Sequence, residues 1–207
     1  AGLGIAHSNF LLRNIVRYLY KFCLWRTHKC FFQNNSDLKY FLEKEIVPEP
    51  KVELLPGSGV DLKKFQVSKA GYDRRSKLSN FTFLLSARML WSKGVHEYVL
   101  AAEQIKNEFA NVDFCLVGFT NLDSRDAIPV SEIMKWHNLG SIIYKGGTDN
   151  ICSVLEKAHC FVLPTYYPEG TPKSLLEAAA MKLPVITTNT PGCRDVVVDG
   201  VTGYFCK

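Results

Sequence analysis

The chain has 207 residues, of which 47% are hydrophobic and 22% charged, a composition typical of a globular protein with one domain or slightly more. Its formal net charge of +5 is too small to indicate nucleic-acid binding, and the sequence shows no RNP, zinc-finger or helix-turn-helix signature. No apolar run approaches the roughly 20 residues of a membrane span, and the seven cysteines include no C-x-x-C pair, which favours reduced thiols in the cytoplasm.

Residues 8–30 predict an amphipathic helix, because their apolar residues recur at helical spacing. Arg13, Arg17 and Lys21 recur every four residues and form a basic stripe along this helix. The sequence leaves two interpretations of the basic stripe open. It is either the solvated side of a helix packed on a core, or a contact with an anionic membrane surface or a lipid diphosphate.

The segments that follow are short. Residues 31–34 predict a strand, and Ser36 predicts the N-cap of a second helix that runs to Lys44. Residues 46–65 contain three prolines and two glycines, so we expect turns and extended chain there, as in a linker.

From residue 80 onwards, apolar strands alternate with helices at short spacing. The strands are predicted at residues 81–86, 113–117, 142–144, 160–163 and 184–188, and the helices at 94–109, 131–138, 151–158 and 172–181. Because several strands are apolar on both faces, we expect an α/β fold with a Rossmann-like parallel sheet that carries helices on both faces.

Two cations lie in the loop after the first of these strands. Arg88 and Lys93 precede the helix 94–109, and ligands of open α/β sheets bind at the carboxyl ends of the strands. An arginine can hold phosphate oxygens through two parallel hydrogen bonds, and a lysine adds a mobile point charge. The loop therefore predicts a diphosphate contact, although two such cations taken alone are more often simply solvated.

A second phosphate-binding feature precedes the helix 172–181. Thr171 suits the N-cap and Pro172 suits the first helical position, so the free N–H groups and the helix dipole at this end favour an anion. Lys173 places a cation in the first turn, where stability alone would favour an acid. We therefore predict that this helix start binds phosphate.

Two carboxylates bracket the same helix start. Glu177 lies about two turns into the helix and, at roughly 100° per residue, near the face of Glu169. One carboxylate before the helix and one inside it are suited to hold hydroxyl groups on either side of a bound diphosphate. The pattern predicts a nucleotide-sugar site.

The segment 168–177 resembles the E-x7-E motif of GT-B glycosyltransferases, in particular the large retaining family 4, glycosyl transferases group 1. The blocks 160–167, 183–188 and 191–195 also resemble this family. Residues 117–136 are similar to its bacterial capsule, O-antigen and exopolysaccharide enzymes.

The resemblance implies a domain organisation. Residues 66–207 would be the nucleotide-sugar donor-binding domain, which is the C-terminal domain of a GT-B fold and would here be truncated at its C-terminus. Residues 51–65 would be the interdomain linker, and residues 1–50 a remnant of the N-terminal acceptor domain. We therefore expect a fragment that is cut at both ends.

The resemblance also implies roles for the site residues. Arg88 and Lys93 would contact the phosphates of the donor, and Glu177 would hold its ribose hydroxyls. Glu169 would contact hydroxyls of the donor sugar and would act with Arg88 and Lys93 in catalysis. The remaining donor-binding residues would be Gly170, Thr171, Pro172 and Ser174. The sequence contains no D-x-D motif, so we expect neither a metal ion nor a cofactor.

The implied function is that of a retaining glycosyltransferase (EC 2.4) acting in capsule or lipopolysaccharide synthesis. It would move a hexose or N-acetylhexosamine from a nucleoside-diphosphate sugar, with UDP favoured, to a growing glycan on a polyprenyl diphosphate. We expect a cytoplasmic location, with peripheral membrane contact through residues 8–30. The alternative is a fragment that binds nucleotide sugar without turnover. A Rossmann-like dehydrogenase is disfavoured, because Gly2 and Gly4 lack a preceding strand and a correctly spaced third glycine.

Overall fold

The computed structural model of the protein describes residues 10–55, 57–67, 71, 75, 77–120, 123–167 and 169–206. These residues divide into two compact units. The first unit comprises the described residues up to 59 together with 167–173 and 190–196. The second unit comprises those at 60–166, 174–189 and 197–206.

The N-terminal part of the first unit contains a small parallel sheet with two helices. In chain order its elements are helix α1 (Phe10–Leu24), strand β1 (Cys30–Phe32), helix α2 (Asn35–Glu43) and strand β2 (Val52–Leu54). The strands pair in parallel, with Cys30 opposite Val52 and Phe32 opposite Leu54. Strand β2 was not predicted, because it is only three residues long and its partner β1 lies more than twenty residues earlier in the chain.

The ends of the first two helices differ from the prediction. Helix α1 stops at Leu24 instead of residue 30, because the Thr27 hydroxyl and amide both donate to the Leu24 carbonyl, at 2.7 and 3.2 Å. Ser36 is not the N-cap of α2. Asn34 holds that place in extended conformation, and its side-chain oxygen accepts a 2.7 Å hydrogen bond from the Asp37 amide.

The core of the first unit lies on one side of α1. Phe41 packs between Phe32 and Tyr20, with ring centroids 5.0 and 5.4 Å apart, and Leu24 also contacts this cluster. No residue of α1 is itself buried. Its other side exposes large apolar side chains, including Phe22 at 75%. Among the described residues, no helix is long and apolar enough to cross a membrane.

The second unit contains the main sheet. Its strands are β3 (Phe81–Ser86), β4 (Val112–Val117), β5 (Ile143–Tyr144), β6 (Cys160–Leu163), β7 (Val185–Thr188) and β8 (Gly203–Cys206). The flanking helices are α3 (Val95–Glu108), α4 (Val130–Asn138), α5 (Ile151–Leu155) and α6 (Lys173–Ala180). These bounds confirm the strands and helices predicted from residue 80 onwards, with α5 ending three residues early and α6 starting one residue late.

The six strands are all parallel and lie in the order β5-β4-β3-β6-β7-β8. Counted within the unit, this is the order 3-2-1-4-5-6 of a Rossmann-like fold. The chain reverses its direction of travel across the sheet between β3 and β6. Ligands of such sheets bind in the crevice at the carboxyl ends of the strands, near this switch point. The predicted fold class is confirmed.

The sheet is held against α3 by a buried cluster of apolar side chains. Leu85, Phe114 and Leu116 are at most 2% exposed, and Tyr98 of α3 packs on Phe114 with ring centroids 5.4 Å apart. The Tyr98 hydroxyl donates to carbonyl oxygens of β3 and β4 at 3.0 Å. Burial raises the pKa of the Tyr98 phenol well above its usual value, so it remains a hydrogen-bond donor at all physiological pH values. This cluster makes the strand ends a rigid base for a site.

Candidate functional site

A cavity of about 180 Å³ opens at the carboxyl ends of three neighbouring strands. Most of its wall is formed by residues at the end of β3 and at the end of β4, each with the two residues that follow. The remaining wall comes from the segment after β5 and from α6. Its lining residues are 86–88, 117–119, Thr148, Ile151 and Glu177.

Gly118 brings the ends of β3 and β4 close together at this cavity. A Cβ atom on Gly118 would lie 1.9 Å from the Ala87 carbonyl oxygen, so only glycine fits without a backbone shift. The Gly118 amide donates to the Gly146 carbonyl at 2.9 Å, and its own carbonyl accepts the Tyr144 hydroxyl at 2.8 Å. The cavity wall is therefore fixed by backbone contacts from all three strands.

Arg88 and Glu177 line this same cavity. Arg88 is exposed in the loop after β3, and Glu177 is half-buried on α6. They lie 89 positions apart in the chain, and the order of the sheet brings their segments to one edge. A guanidinium, which can bind phosphate through two parallel hydrogen bonds, and a carboxylate thus line the same small cavity.

Lys93 lies in the same loop but does not line the cavity. It ends the 3-10 turn Trp91–Lys93 and is only 6% exposed. A lysine is rarely buried to this extent unless its ammonium group is paired. The structure therefore places Lys93 deeper than the mobile surface cation that the loop predicts.

The loop that carries Lys93 is tied to the chain after β6. The Ser92 carbonyl accepts the Thr165 hydroxyl at 3.2 Å and the Tyr166 amide at 3.0 Å. Gly94 has a φ of 74°, and a Cβ on it would lie 2.1 Å from the Pro164 carbonyl oxygen. Partial desolvation raises the pKa of the Tyr166 phenol, and two nearby carboxylates add to this effect. The two loops at the switch point are thus in direct contact.

The segment before α6 belongs to the first unit up to Lys173. The helix begins at Lys173, so Pro172 precedes it and the predicted cap at Thr171 is displaced by one residue. The Thr171 hydroxyl instead donates to the Gln33 carbonyl at 3.4 Å. Pro172 is buried, whereas Lys173 is exposed at the first helical position.

Gly170 lies in a crowded position of the first unit. A Cβ atom on Gly170 would lie 2.1 Å from the Gln33 side-chain oxygen. One on Gly192, in the short helix α7 (Pro191–Arg194), would lie 2.0 Å from the Gly170 carbonyl. Glu169 is half-buried beside it, and Ser174 is half-buried in the first turn of α6. The predicted donor-binding roles of Glu169, Gly170, Thr171, Pro172 and Ser174 remain predictions.

Of the nine residues that line the cavity, only Arg88 and Glu177 were predicted as site residues, and Phe119, Thr148 and Ile151 are among those that were not. Each follows a strand end, which was the available signal, but none carries a charge or motif that marks it. Within the described part of the chain, no group of three or more histidine, cysteine, aspartate or glutamate side chains is placed to hold a metal ion.

Comparisons with known proteins identify the family. The family model "Glycosyl transferases group 1" matches residues 73–207. A Campylobacter jejuni N,N'-diacetylbacillosaminyl-diphospho-undecaprenol alpha-1,3-N-acetylgalactosaminyltransferase is 29% identical over 204 residues, which cover 95% of this chain and 52% of that protein. The Staphylococcus aureus capsular polysaccharide biosynthesis glycosyltransferase CapM is 29% identical over 84% of this chain and 47% of its own length. The chain thus spans about half the length of these relatives.

Solved structures confirm the fold. Anabaena HepE in complex with UDP and glucose superposes with a TM-score of 0.76 at 17% identity, covering 100% of this chain and 56% of that one. TarM superposes with a TM-score of 0.73 at 16% identity, covering 94% of this chain and 36% of that one. The parallel sheet matches the C-terminal half of GT-B structures. The chain belongs to the glycosyl transferases group 1 family, which is family 4 of the GT-B glycosyltransferases.

Proposed function

We propose that this chain provides the donor-binding part of a retaining glycosyltransferase that uses a UDP-sugar. The observation that carries the proposal is the shared cavity of Arg88 and Glu177 at the strand ends of a Rossmann-like sheet. Membership of the family supports the reaction class, EC 2.4. The complex of HepE with UDP-glucose, which has the same fold, supports UDP as the nucleotide.

The proposed reaction transfers a sugar from the diphosphate to an acceptor hydroxyl. Its difficult event is departure of the diphosphate while the sugar gains positive charge. Arg88, the Lys93 ammonium group and the N-terminus of α6 would stabilise the negative charge that develops on the leaving group. Glu177 would hold the ribose hydroxyls and Glu169 the hydroxyls of the donor sugar, which fixes the orientation of the breaking bond.

We further propose that the sugar is a hexose or N-acetylhexosamine and that the acceptor is a glycan on a polyprenyl diphosphate. The name of the Campylobacter relative, which acts on an undecaprenyl-diphosphate-linked sugar, supports this acceptor class. In this proposal residues 1–50 belong to an acceptor domain, 51–65 to a linker and 66–207 to the donor domain. An acceptor of this kind lies at the cytoplasmic face of a membrane, which the exposed apolar side of α1 suits.

Isothermal titration of the 207-residue chain with UDP tests the proposal. We expect Arg88→Ala and Glu177→Ala each to weaken UDP binding by about 10- to 100-fold, because hydrogen bonds to charged groups contribute roughly 1.5–3 kcal/mol. Arg125→Ala and Glu108→Ala are matched controls, since both side chains are exposed elsewhere in the second unit. Unchanged binding by the Arg88 and Glu177 variants would show that the cavity is not the donor site.

A turnover assay separates the catalytic proposal from its alternative. The chain would be incubated with UDP-glucose or UDP-N-acetylglucosamine and a polyprenyl-diphosphate-linked sugar, and free UDP would be measured. Acceptor-dependent UDP release that Arg88→Ala abolishes supports transfer. UDP binding without any release supports the alternative, a domain that binds nucleotide sugar without turnover.

A further inference from the structure

Phe119 is an exposed aromatic side chain on the wall of the cavity that holds Arg88 and Glu177. Its side chain is 59% exposed, although only Gly118 separates it from the buried end of β4. A single exposed apolar residue needs no explanation by itself. Phe119, however, lines the cavity, and its backbone is held on both sides: its carbonyl accepts from the Met89 amide at 3.4 Å, and the preceding Gly118 is fixed by its own hydrogen bonds.

The chemistry of the cavity wall changes from one strand to the next. Arg88 follows β3, which lies at the switch point, whereas Phe119 follows β4, one strand further out. Ile151 and Thr148 follow β5, the edge strand beyond it. A nucleoside diphosphate changes in the same order, from charged phosphates through ribose to a flat base. The aromatic and aliphatic part of the wall therefore lies where the base extends when the phosphates are at β3.

The absence of a side chain at Gly147 leaves room for the Phe119 ring beside the chain after β5. A Cβ atom on Gly147 would lie 2.2 Å from the Phe119 ring, so the missing side chain lets the ring lie against the chain after β5. One face of the ring is thereby supported, while the side chain stays largely exposed to solvent. A supported ring loses little freedom when a ligand binds, which favours affinity.

We propose that Phe119 stacks on the nucleobase of the donor nucleotide, an inference that rests on the proposed function. Every nucleobase has a flat π-face, and base–aromatic stacking contributes substantially to the affinity of nucleotides. Phe119 is thus a binding residue for the base. It takes no part in the chemistry at the sugar.

Phe119→Leu tests the proposal, because it keeps an apolar side chain but removes the flat ring. We expect it to weaken UDP binding roughly tenfold, as measured by isothermal titration, and to leave binding of inorganic diphosphate unchanged. Phe109→Leu is the matched control, since Phe109 is 58% exposed at the end of α3 and lies outside the cavity wall. This control should bind UDP like the unchanged chain.

Two results would overturn the proposal. The first is UDP binding by Phe119→Leu that equals that of Phe109→Leu. The second is an equal loss for UDP and diphosphate, since that loss would mean that the ring only supports the loop. Failure of the proposed function has a different signature, namely no UDP binding by the unchanged chain or full binding by Arg88→Ala.

Gly147→Ala provides an independent test through the same ring. The added methyl group must displace the Phe119 ring, so we expect UDP binding to fall several-fold in the otherwise unchanged chain. In the Phe119→Leu background the same substitution should have little further effect, because no ring is left to displace. Equal effects of Gly147→Ala in both backgrounds would contradict the stacking role.

Discussion

At the scale of single residues, the site depends on places where two backbones approach more closely than side chains allow. Gly118 and Gly94 each face a carbonyl oxygen at about 2 Å from the Cβ position, at 1.9 and 2.1 Å. These two contacts join β4 to the chain after β3, and the start of α3 to the chain after β6. Small residues thus fix the loop that carries Arg88 and Lys93 against its neighbours.

Gly118→Ala should destabilise the second unit by about 1–3 kcal/mol, the usual cost of forcing extra volume into a packed site. The new methyl group would meet a backbone oxygen, which cannot rotate away. Urea denaturation monitored by fluorescence gives the free energy of unfolding. Gly140→Ala is the comparison, because its Cβ would have open space and only its φ of 78° is unfavourable. A smaller loss at Gly118 than at Gly140 would contradict the close contact.

The residue scale also shows how sequence and structure differ for the cations. Arg88 and Glu177 were predicted from loop position and motif, and the structure brings both to one cavity. Lys93 was predicted from the same loop, yet it is buried in a 3-10 turn. Local sequence identifies which residues follow a strand, but the depth of a side chain depends on what packs over it.

At the scale of elements, α1 is the least expected feature. Its Tyr20 and Leu24 pack on the core of the first unit, while Phe22 and Trp25, the residue that follows the helix, are 75% and 72% exposed. The prediction left a core-packed helix and a membrane contact open. Arg17 is engaged within the unit, since its side chain donates to the Tyr40 hydroxyl at 2.9 Å. Membrane contact through this helix stays a prediction, for which the exposed aromatic side chains are better suited than the basic stripe.

Phe22→Ser should reduce binding of the chain to vesicles that contain anionic lipid by about 10- to 100-fold, because a buried phenylalanine contributes roughly 1.5–3 kcal/mol. Sedimentation with vesicles of mixed neutral and anionic lipid measures the bound fraction. Phe109→Ser is the control, as it removes an exposed ring of the same size from the end of α3. Equal partition of both variants and the unchanged chain would exclude membrane contact through this side of α1.

At the scale of the whole molecule, the second unit carries the six-stranded Rossmann-like sheet and the cavity. A ligand that binds only the folded protein stabilises it by mass action. We expect UDP at about 100 times its dissociation constant to add about 2.7 kcal/mol and to raise the Tm by roughly 5–11 °C. Differential scanning calorimetry measures the shift. Because Arg88→Ala is expected to bind UDP about 10- to 100-fold more weakly, it should lose about half or more of this shift at the same UDP concentration. Arg125→Ala should keep the shift, and an equal shift in both variants would contradict the site.

The sequence by itself determined the alternation of strands and helices, the fold class and the family, because these depend on local periodicity and on motifs that are contiguous in the chain. It also identified the strand, β3, that Arg88 follows. The sequence did not predict the pairing of β1 with β2, since the three residues of β2 are too few to show a periodic pattern.

Only the tertiary structure decided which strand ends line the same cavity. The order β5-β4-β3-β6-β7-β8 brings the chains after β3, β4 and β5 into one cavity with Glu177, although these segments lie far apart in the sequence. Phe119 has no motif around it, and its position in the cavity follows from the neighbouring strand and from the space that Gly147 leaves. Contacts of this kind depend on packing between distant segments, for which spacing along the chain carries no information.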